Sequence, residues 1–472
     1  MTKRLRLRWL ALLAVFLIVV AACGGDDDDG GTDTTVAPGA DTTEPVTDTT
    51  EAMTDTTAMT DTTSGGTAAG DILTDVGVDL EAGTINVGML SDLTGPFGPL
   101  VTAILAGHEV YWGNVNANGG INGLTVNLEI RDTTYDVPTH VSLYEELKTQ
   151  VVAFGHSTGS PHTVAINPQL QADGILAVPL TWYSGWSDPA INSNLVSHGT
   201  PYCIEAMNLM EYARDQAVAA GTAEPTVAIV SLPGDYGLDS ATGAAIAAET
   251  LGMEVVYDGS GAVVPGQDLT PIAGEIVAAD PDIVFITTTP TAFTEIYGPA
   301  IQQGFEAIWT GASPTYNPAF LGSAIADPLQ RDFIGSSYVT PWGAGTPGSD
   351  ELEALFAELA PDAPPLDYYA EGFVEAKILH EALLAAYDAG DMTQAGVLAA
   401  AKSLEEVDFN GLAPNESYVG EPNDRLQREI VIFRPDAALL AAGGTGSNVQ
   451  EANYISETAA NYEFTGACYV LE

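Results

Sequence analysis

The sequence predicts an α/β fold in which parallel sheets are flanked by helices, with the pattern run twice. Two observations carry this. Short β-rich runs alternate with helical stretches in one series from 84 to 180 and again from 226 to 311, as βαβ units require. About 390 of the 472 residues follow Thr84, enough for two domains or lobes.

The chain starts with Lys3, Arg4, Arg6 and Arg8, then runs uncharged from Trp9 to Ala22. That run of 14 residues is shorter than the ~20 a membrane-spanning helix needs. A basic start, a short apolar core and a small-residue end read as a secretory signal over 1–22. Val20-Ala21-Ala22-Cys23 resembles a bacterial lipobox, which implies that Cys23 is acylated and begins the mature protein. The plainer alternative is an ordinary cleaved signal with an incidental cysteine.

Residues 23–70 are Thr, Asp, Gly, Ala and Pro with recurring "TDTT" and almost no large apolar side chains. No core can offset the ordering entropy there, so the segment reads as a disordered, self-repelling tether. A flexible coil of ~47 residues spans roughly 35–40 Å.

Four of the 13 basic residues lie in the leader, leaving nine against 64 acids, a formal charge of −55. Such a field repels nucleic acid and anionic lipid headgroups. Past the leader two cysteines remain, Cys203 and Cys468, and an exported chain with one pair allows one disulfide.

In the first series "TINVGML" reads as a strand and "LVTAILAGHEVYWGNVNA" as a helix stopping before Gly119-Gly120. "LTVNLEIRD" alternates like a strand, "HVSLYEELKTQ" is helical, and "VVAF", a helix to Ala172 and "GILAVPL" follow. The second series is "TVAIVSL", "GAAIAAETLG", "MEVVYDG", "LTPIAGEIVAA", "DIVFITTT", "AFTEIYGPAIQQG" and "AIWTG". Ligands of such sheets sit at the carboxyl ends of strands, in loops such as "SDLTGPFG", "GHSTGSPH", "PLTWYSGW", "SLPGDYG", "TTTPTA" and "TGASPTYNP".

Gly155-His156-Ser157-Thr158-Gly159 fits Gly-x-Ser-x-Gly between a strand and a helix, the setting of a hydrolase nucleophile elbow. Ser157 would then need an acid and a histidine downstream. His162 is five residues away, His198 precedes the second series, and His380 sits on an amphipathic helix. None is placed to take the serine proton, so a hydrolase is the weaker reading.

"INVGMLSDLTGPFG", "NANGGINGLTVNLEIRDTTYDVPTHV", "GHSTGS" and "DGILAVPLTW" together resemble the leucine/isoleucine/valine-binding family of extracytoplasmic solute-binding proteins. The likeness continues through "VAIVSLPGDYG", "PDIVFITTTPT", "GSSYVTPW" and "DYYAEGFVEAKILHEAL" to "FNGLAPN", nearly all of 84–472. The resemblance implies a two-lobed Venus-flytrap fold, the type 1 periplasmic-binding-protein architecture. It implies crossings between lobes near 197–204, 338–345 and 408–415. Lobe one would be about 84–197 plus 341–410, and lobe two about 202–338 plus 414–472. Cys203 and Cys468 then fall in one lobe, and a disulfide between them is expected.

The resemblance also implies the site. In the first lobe Ser157, Thr158 and Ser160 would hold a carboxylate or amide with the help of backbone amides at a helix start. Leu180, Thr181 and Trp182 match the second binding segment, Phe97 a first-loop aromatic, and Tyr236 a lobe-two tyrosine that covers the ligand. Amino-acid-binding relatives often carry an acid where this chain has Ser313, and no carboxylate lies between Gly311 and Asp327. That favours an amide, a urea-like compound, a short carboxylate or an aromatic acid over an α-amino acid. Trp182, Tyr183, Trp186 and Tyr316 suggest an aromatic pocket, unless they pack lobe surfaces or the hinge.

Met207 and Met210 at helical spacing read as core, and the histidines His108 and His140 on predicted helices show no metal-ligand spacing. The functional expectation is a non-enzymatic, lipid-anchored, monomeric binding protein on the outer face of the cytoplasmic membrane. It would work without a cofactor and deliver a small solute to an ABC permease and its ATPase. A ligand-sensing ectodomain is the alternative.

Overall fold

The computed structural model describes residues 72–192, 194–442 and 447–470. The expected signal peptide, Cys23 and the expected tether lie outside the described residues.

The first lobe is built on β2 (Val78–Asp79), β3 (Thr84–Ser91), β4 (Thr125–Asp132), β5 (Ala153–Thr158) and β6 (Ala177–Leu180). β4, β3, β5 and β6 lie side by side and parallel, while the short β2 runs antiparallel to the start of β3. A separate parallel pair joins β1 (Leu73–Thr74) to β12 (Asp391–Met392).

The second lobe carries β7 (Val227–Ser231), β8 (Val255–Gly259), β9 (Ile283–Thr287), β10 (Ile308–Thr310) and β11 (Phe333–Ser337), in the order β8-β7-β9-β10-β11, all parallel. The returning tail adds β13 (Ile430–Pro435) and β14 (Asn448–Tyr454) antiparallel at one edge, so this sheet is mixed where a parallel one was expected. Every residue of β7 and β9 is buried, because helices cover both faces of a parallel sheet.

In each lobe the first parallel strand has neighbours reached in opposite directions: β3 between β4 and β5, β7 between β8 and β9. At that reversal the loops leaving the carboxyl ends diverge and open a crevice. The two crevices face each other across the cleft.

The chain changes lobe between Val196 and Cys203, and again between Ile334 and Val339. The third crossing comes later than the expected 408–415. Val407 and Glu416 bridge back to back, so Leu412 and Tyr418 still pack in the first lobe's core, and only Leu426 reaches the second. Cys203 and Cys468 are disulfide-bonded across 265 residues of sequence. Met207 and Met210 are fully buried in the second lobe's core.

Candidate ligand-binding site between the lobes

After β3 the carboxylate of Asp92 accepts hydrogen bonds from the amides of Gly95 (2.6 Å) and Phe97 (2.9 Å). This folds the loop so that Phe97 caps the helix Gly98–Ala117 with its ring over the cleft. After β5, Gly159 turns the chain at φ +95°, where a Cβ would meet His162 Nδ1 and Tyr135 Cε2 at 2.7 Å. Only glycine fits that backbone. The strand runs through Thr158 and the helix Ser160–Asp173 follows at once, so the expected "GHSTGSPH" loop is a single residue.

Ser157 and Thr158 are neighbours in a strand and so point to opposite faces. Thr158 lines the cleft. Ser157 turns away from it, fully buried, with Oγ 2.9 Å from Thr163 Oγ1 and 3.2 Å from His140 Nε2. His140 lies upstream of Ser157, outside the chain order that a nucleophile elbow requires. Burial pushes that ring down to about 3, and its Nδ1 has no hydrogen-bond partner, so no acid orients it.

Ser160 lines the cleft with its Oγ bonded to Thr181 Oγ1 and to the Tyr202 hydroxyl; Thr181 stands behind it rather than on the wall. Leu180 closes the end of β6, and Trp182 stacks on Tyr338 with centroids 4.2 Å apart. From the second lobe, the helix Gly234–Leu251 begins within the expected "SLPGDYG" loop. It sets Tyr236 6.3 Å from the Phe97 ring, with its hydroxyl donating to Thr288 O at 3.2 Å. Ser313 lines the cleft and donates its amide to Glu205 Oε1 at 2.9 Å. Phe97, Thr158, Ser160, Leu180, Trp182, Tyr236 and Ser313 thus share one cavity of about 540 Å³, its mouth included.

The aromatic wall differs from the expected one. Trp182 is on it, but Tyr183 and Trp186 fill the first lobe's core and Tyr316 the second's. The other rings come from Phe97, Tyr135, Tyr202, Tyr236 and Tyr368. Thr134 and Tyr135 are both left-handed (φ +51° and +54°), costly for such side chains, and the turn lays Tyr135 5.0 Å from Phe97 and 4.2 Å from His162. Tyr368 donates across the lobes to Tyr316 O at 2.9 Å.

Glu371, on the helix Tyr369–Asp388, also lines the cavity. Its Oε2 has no hydrogen-bond partner; the His198 ring stands 3.9 Å away. Burial, with Glu375 and Glu205 adding like charge, holds its carboxyl well above the usual range. One turn along the helix, Glu375 behaves oppositely. Burial alone would raise it, but His156, His108 and His198 hold it well below. Its Oε2 lies 2.8 Å from His108 Nε2 and 2.7 Å from His156 Nδ1, and its Oε1 3.4 Å from His198 Nε2. The donors of His108, His156 and Glu375 are all within 4.8 Å of one another, a convergence that linear spacing does not reveal.

The family model described as periplasmic binding protein matches residues 84–443. The chain belongs to the periplasmic binding protein family. This binding protein has the type 1 two-lobed fold, its family is extracytoplasmic, and its relatives are substrate-binding proteins rather than enzymes, so the hydrolase reading of Ser157 falls. It is 25% identical to a fatty acid ABC transporter substrate-binding protein from Thermomonospora curvata (TM-score 0.75), over 83% of this chain and 97% of that one. A branched-chain amino acid ABC transporter protein from Thermus thermophilus with bound valine is 19% identical (TM-score 0.65; 80% and 97% covered). The isoleucine complex of a branched-chain amino acid transporter substrate-binding protein from Streptococcus pneumoniae is 15% identical (TM-score 0.61; 78% and 99% covered). No curated protein matches the chain.

Proposed function

We propose that this chain is the lipid-anchored solute receptor of an ABC importer, and that it captures one compact solute by closing its lobes. The observation that carries this is the cavity. Phe97, Thr158, Ser160 and Leu180 of the first lobe meet Tyr236 and Ser313 of the second around a single void, with Phe97 and Tyr236 almost wholly buried. A ligand bound there touches both lobes and stabilises the closed form by its differential affinity for it.

The solute has an apolar body and a polar end. Leu100, Val101, Ile104 and Leu180 give aliphatic wall and the aromatic rings the rest, as suits a largely apolar ligand. The fatty acid name of the Thermomonospora curvata relative accords with such walls. The lipobox-like Val20–Cys23 supports anchoring through Cys23, and 23–70 a tether that lets the lobes reach a permease.

A thermal-shift panel of amino acids, amides, ureas, amines and carboxylic acids tests the reading. A true solute raises Tm progressively with concentration above its Kd. No shift with any member of a broad panel would sink it. Anchoring is tested separately: Cys23→Ala should release the chain from the membrane fraction.

A further inference from the structure

Several hydrogen-bond donors around the cavity are already in use. Tyr236 and Tyr368 give their hydroxyls to the carbonyls of Thr288 and Tyr316. Ser160 is bonded to Thr181 and Tyr202, and Thr158 to His156. The Gly159 amide goes to Leu180 O and that of Ser313 to Glu205. Pro161 removes one amide from the first turn of the helix at Ser160. Trp182 Nε1 is buried beside Gly199 without a hydrogen-bond partner. No lysine or arginine is among the lining residues.

The one carboxyl among the lining residues is that of Glu371. Glu371 Oε2 is buried without a hydrogen-bond partner, and a buried carboxylate left so is costly until something neutralises it. The surrounding rings carry negative faces that attract a cation. A chain of net charge −51 raises the local concentration of cations. A carboxylate solute meets the reverse: no lysine or arginine on the wall and three buried glutamates, Glu371, Glu375 and Glu205, near its path.

We infer that the cleft selects an amine, whose charged nitrogen pairs with Glu371 while the aromatic wall encloses its carbon body. The inference rests on the solute-binding reading and narrows it to a cation without an α-carboxylate. The titratable groups facing Glu371 are Glu375 on its own helix, Tyr368 just before that helix, His198 from the first crossing and Glu205 from the helix Tyr202–Ala220.

Matched ligands isolate each charge: phenethylamine carries only the ammonium, phenylalanine adds the carboxylate, 3-phenylpropanoate keeps only the carboxylate, and 3-phenylpropanamide has neither. 3-Methylbutylamine, leucine, 4-methylpentanoate and 4-methylpentanamide repeat this on an aliphatic body. In calorimetry the amine should bind about tenfold or more tighter than its acid and amide. Glu371→Gln should abolish the preference with the circular dichroism unchanged, and Glu371→Asp should restore part of it. The inference is overturned if an acid or amide binds best, if the amino acid binds as tightly as its amine, or if Glu371→Gln leaves amine affinity intact. In those cases solute binding itself stands. If nothing in these series or the broad panel binds, both readings fall.

Discussion

His156 Nδ1 lies 2.7 Å from Glu375 Oε2, and Nε2 of the same ring lies 2.7 Å from Thr158 Oγ1 on the cavity wall. The ring therefore ties a buried carboxylate to the ligand cleft. An ionised Glu375 only accepts, so the ring presents Nδ1 to it as a donor.

Two glutamates one helical turn apart should respond oppositely to the same change. Glu375→Gln removes the charge that three histidines surround, and breaking such a buried cluster costs about 3–5 kcal/mol. Glu371→Gln removes a carboxyl with an unpartnered oxygen and should leave stability unchanged or raise it. Urea denaturation of the two variants beside wild type reads both. Equal losses would contradict the assignment of Glu375 as the hub.

Stability should be higher at pH 6 than at pH 8. Burial pushes Glu205, Asp235 and Asp239 up to about 7, and Glu416 to about 8. Unfolded, these acids ionise near pH 4. The folded state thus holds extra protons, and stability is lost as pH rises through the folded values. Buried His140 and His380, pushed down to about 3 and about 4, act oppositely but only below about pH 6.5, where the unfolded rings charge. Chemical denaturation across pH 6–8 checks the sign; a flat or rising profile would refute it.

Reducing the Cys203–Cys468 bond should lower stability by about 2–5 kcal/mol, because it frees a very long loop in the unfolded chain. Thermal melts with and without a reductant measure it. The Cys203→Ala/Cys468→Ala double variant should match the reduced protein and lose its response to reductant.

Tyr236→Ala should weaken solute binding about 10- to 100-fold, as the ring closes the cavity from the second lobe. Tyr236→Phe should change it less than about threefold, because the hydroxyl is spent on Thr288 O. Calorimetry with any solute found by thermal shift compares them. A phenylalanine variant as weak as the alanine one would mean the hydroxyl touches the ligand.

Ser157→Ala should leave solute binding within about threefold, since the side chain faces His140 and Thr163 rather than the cavity. It should cost about 1–2 kcal/mol of stability by stranding the His140 nitrogen. Ester hydrolysis should be absent in both proteins.

The strands of the two βαβ series, their repeated order and the segments that bring Phe97, Ser160, Leu180 and Tyr236 to strand ends are legible in the chain, whereas the edge strands β13 and β14 are not. Those properties are local: β-branched runs, period and turn residues act over a few positions, and topology places carboxyl ends at the cleft. Which side chain of each segment faces inward depends on packing across the sheet, because one residue of slip in a strand reverses the face. So Thr158 reached the cavity and Ser157 did not, and Tyr183 and Trp186 went to a core. The tertiary structure also decided the electrostatics. His108, His156, His198 and Glu375 are far apart in the chain, and the histidines' shared carboxylate exists only once the helix Tyr369–Asp388 packs beneath the first sheet. Glu371 reads in sequence as one acid among 64, and its meaning comes from the burial that strips it of water.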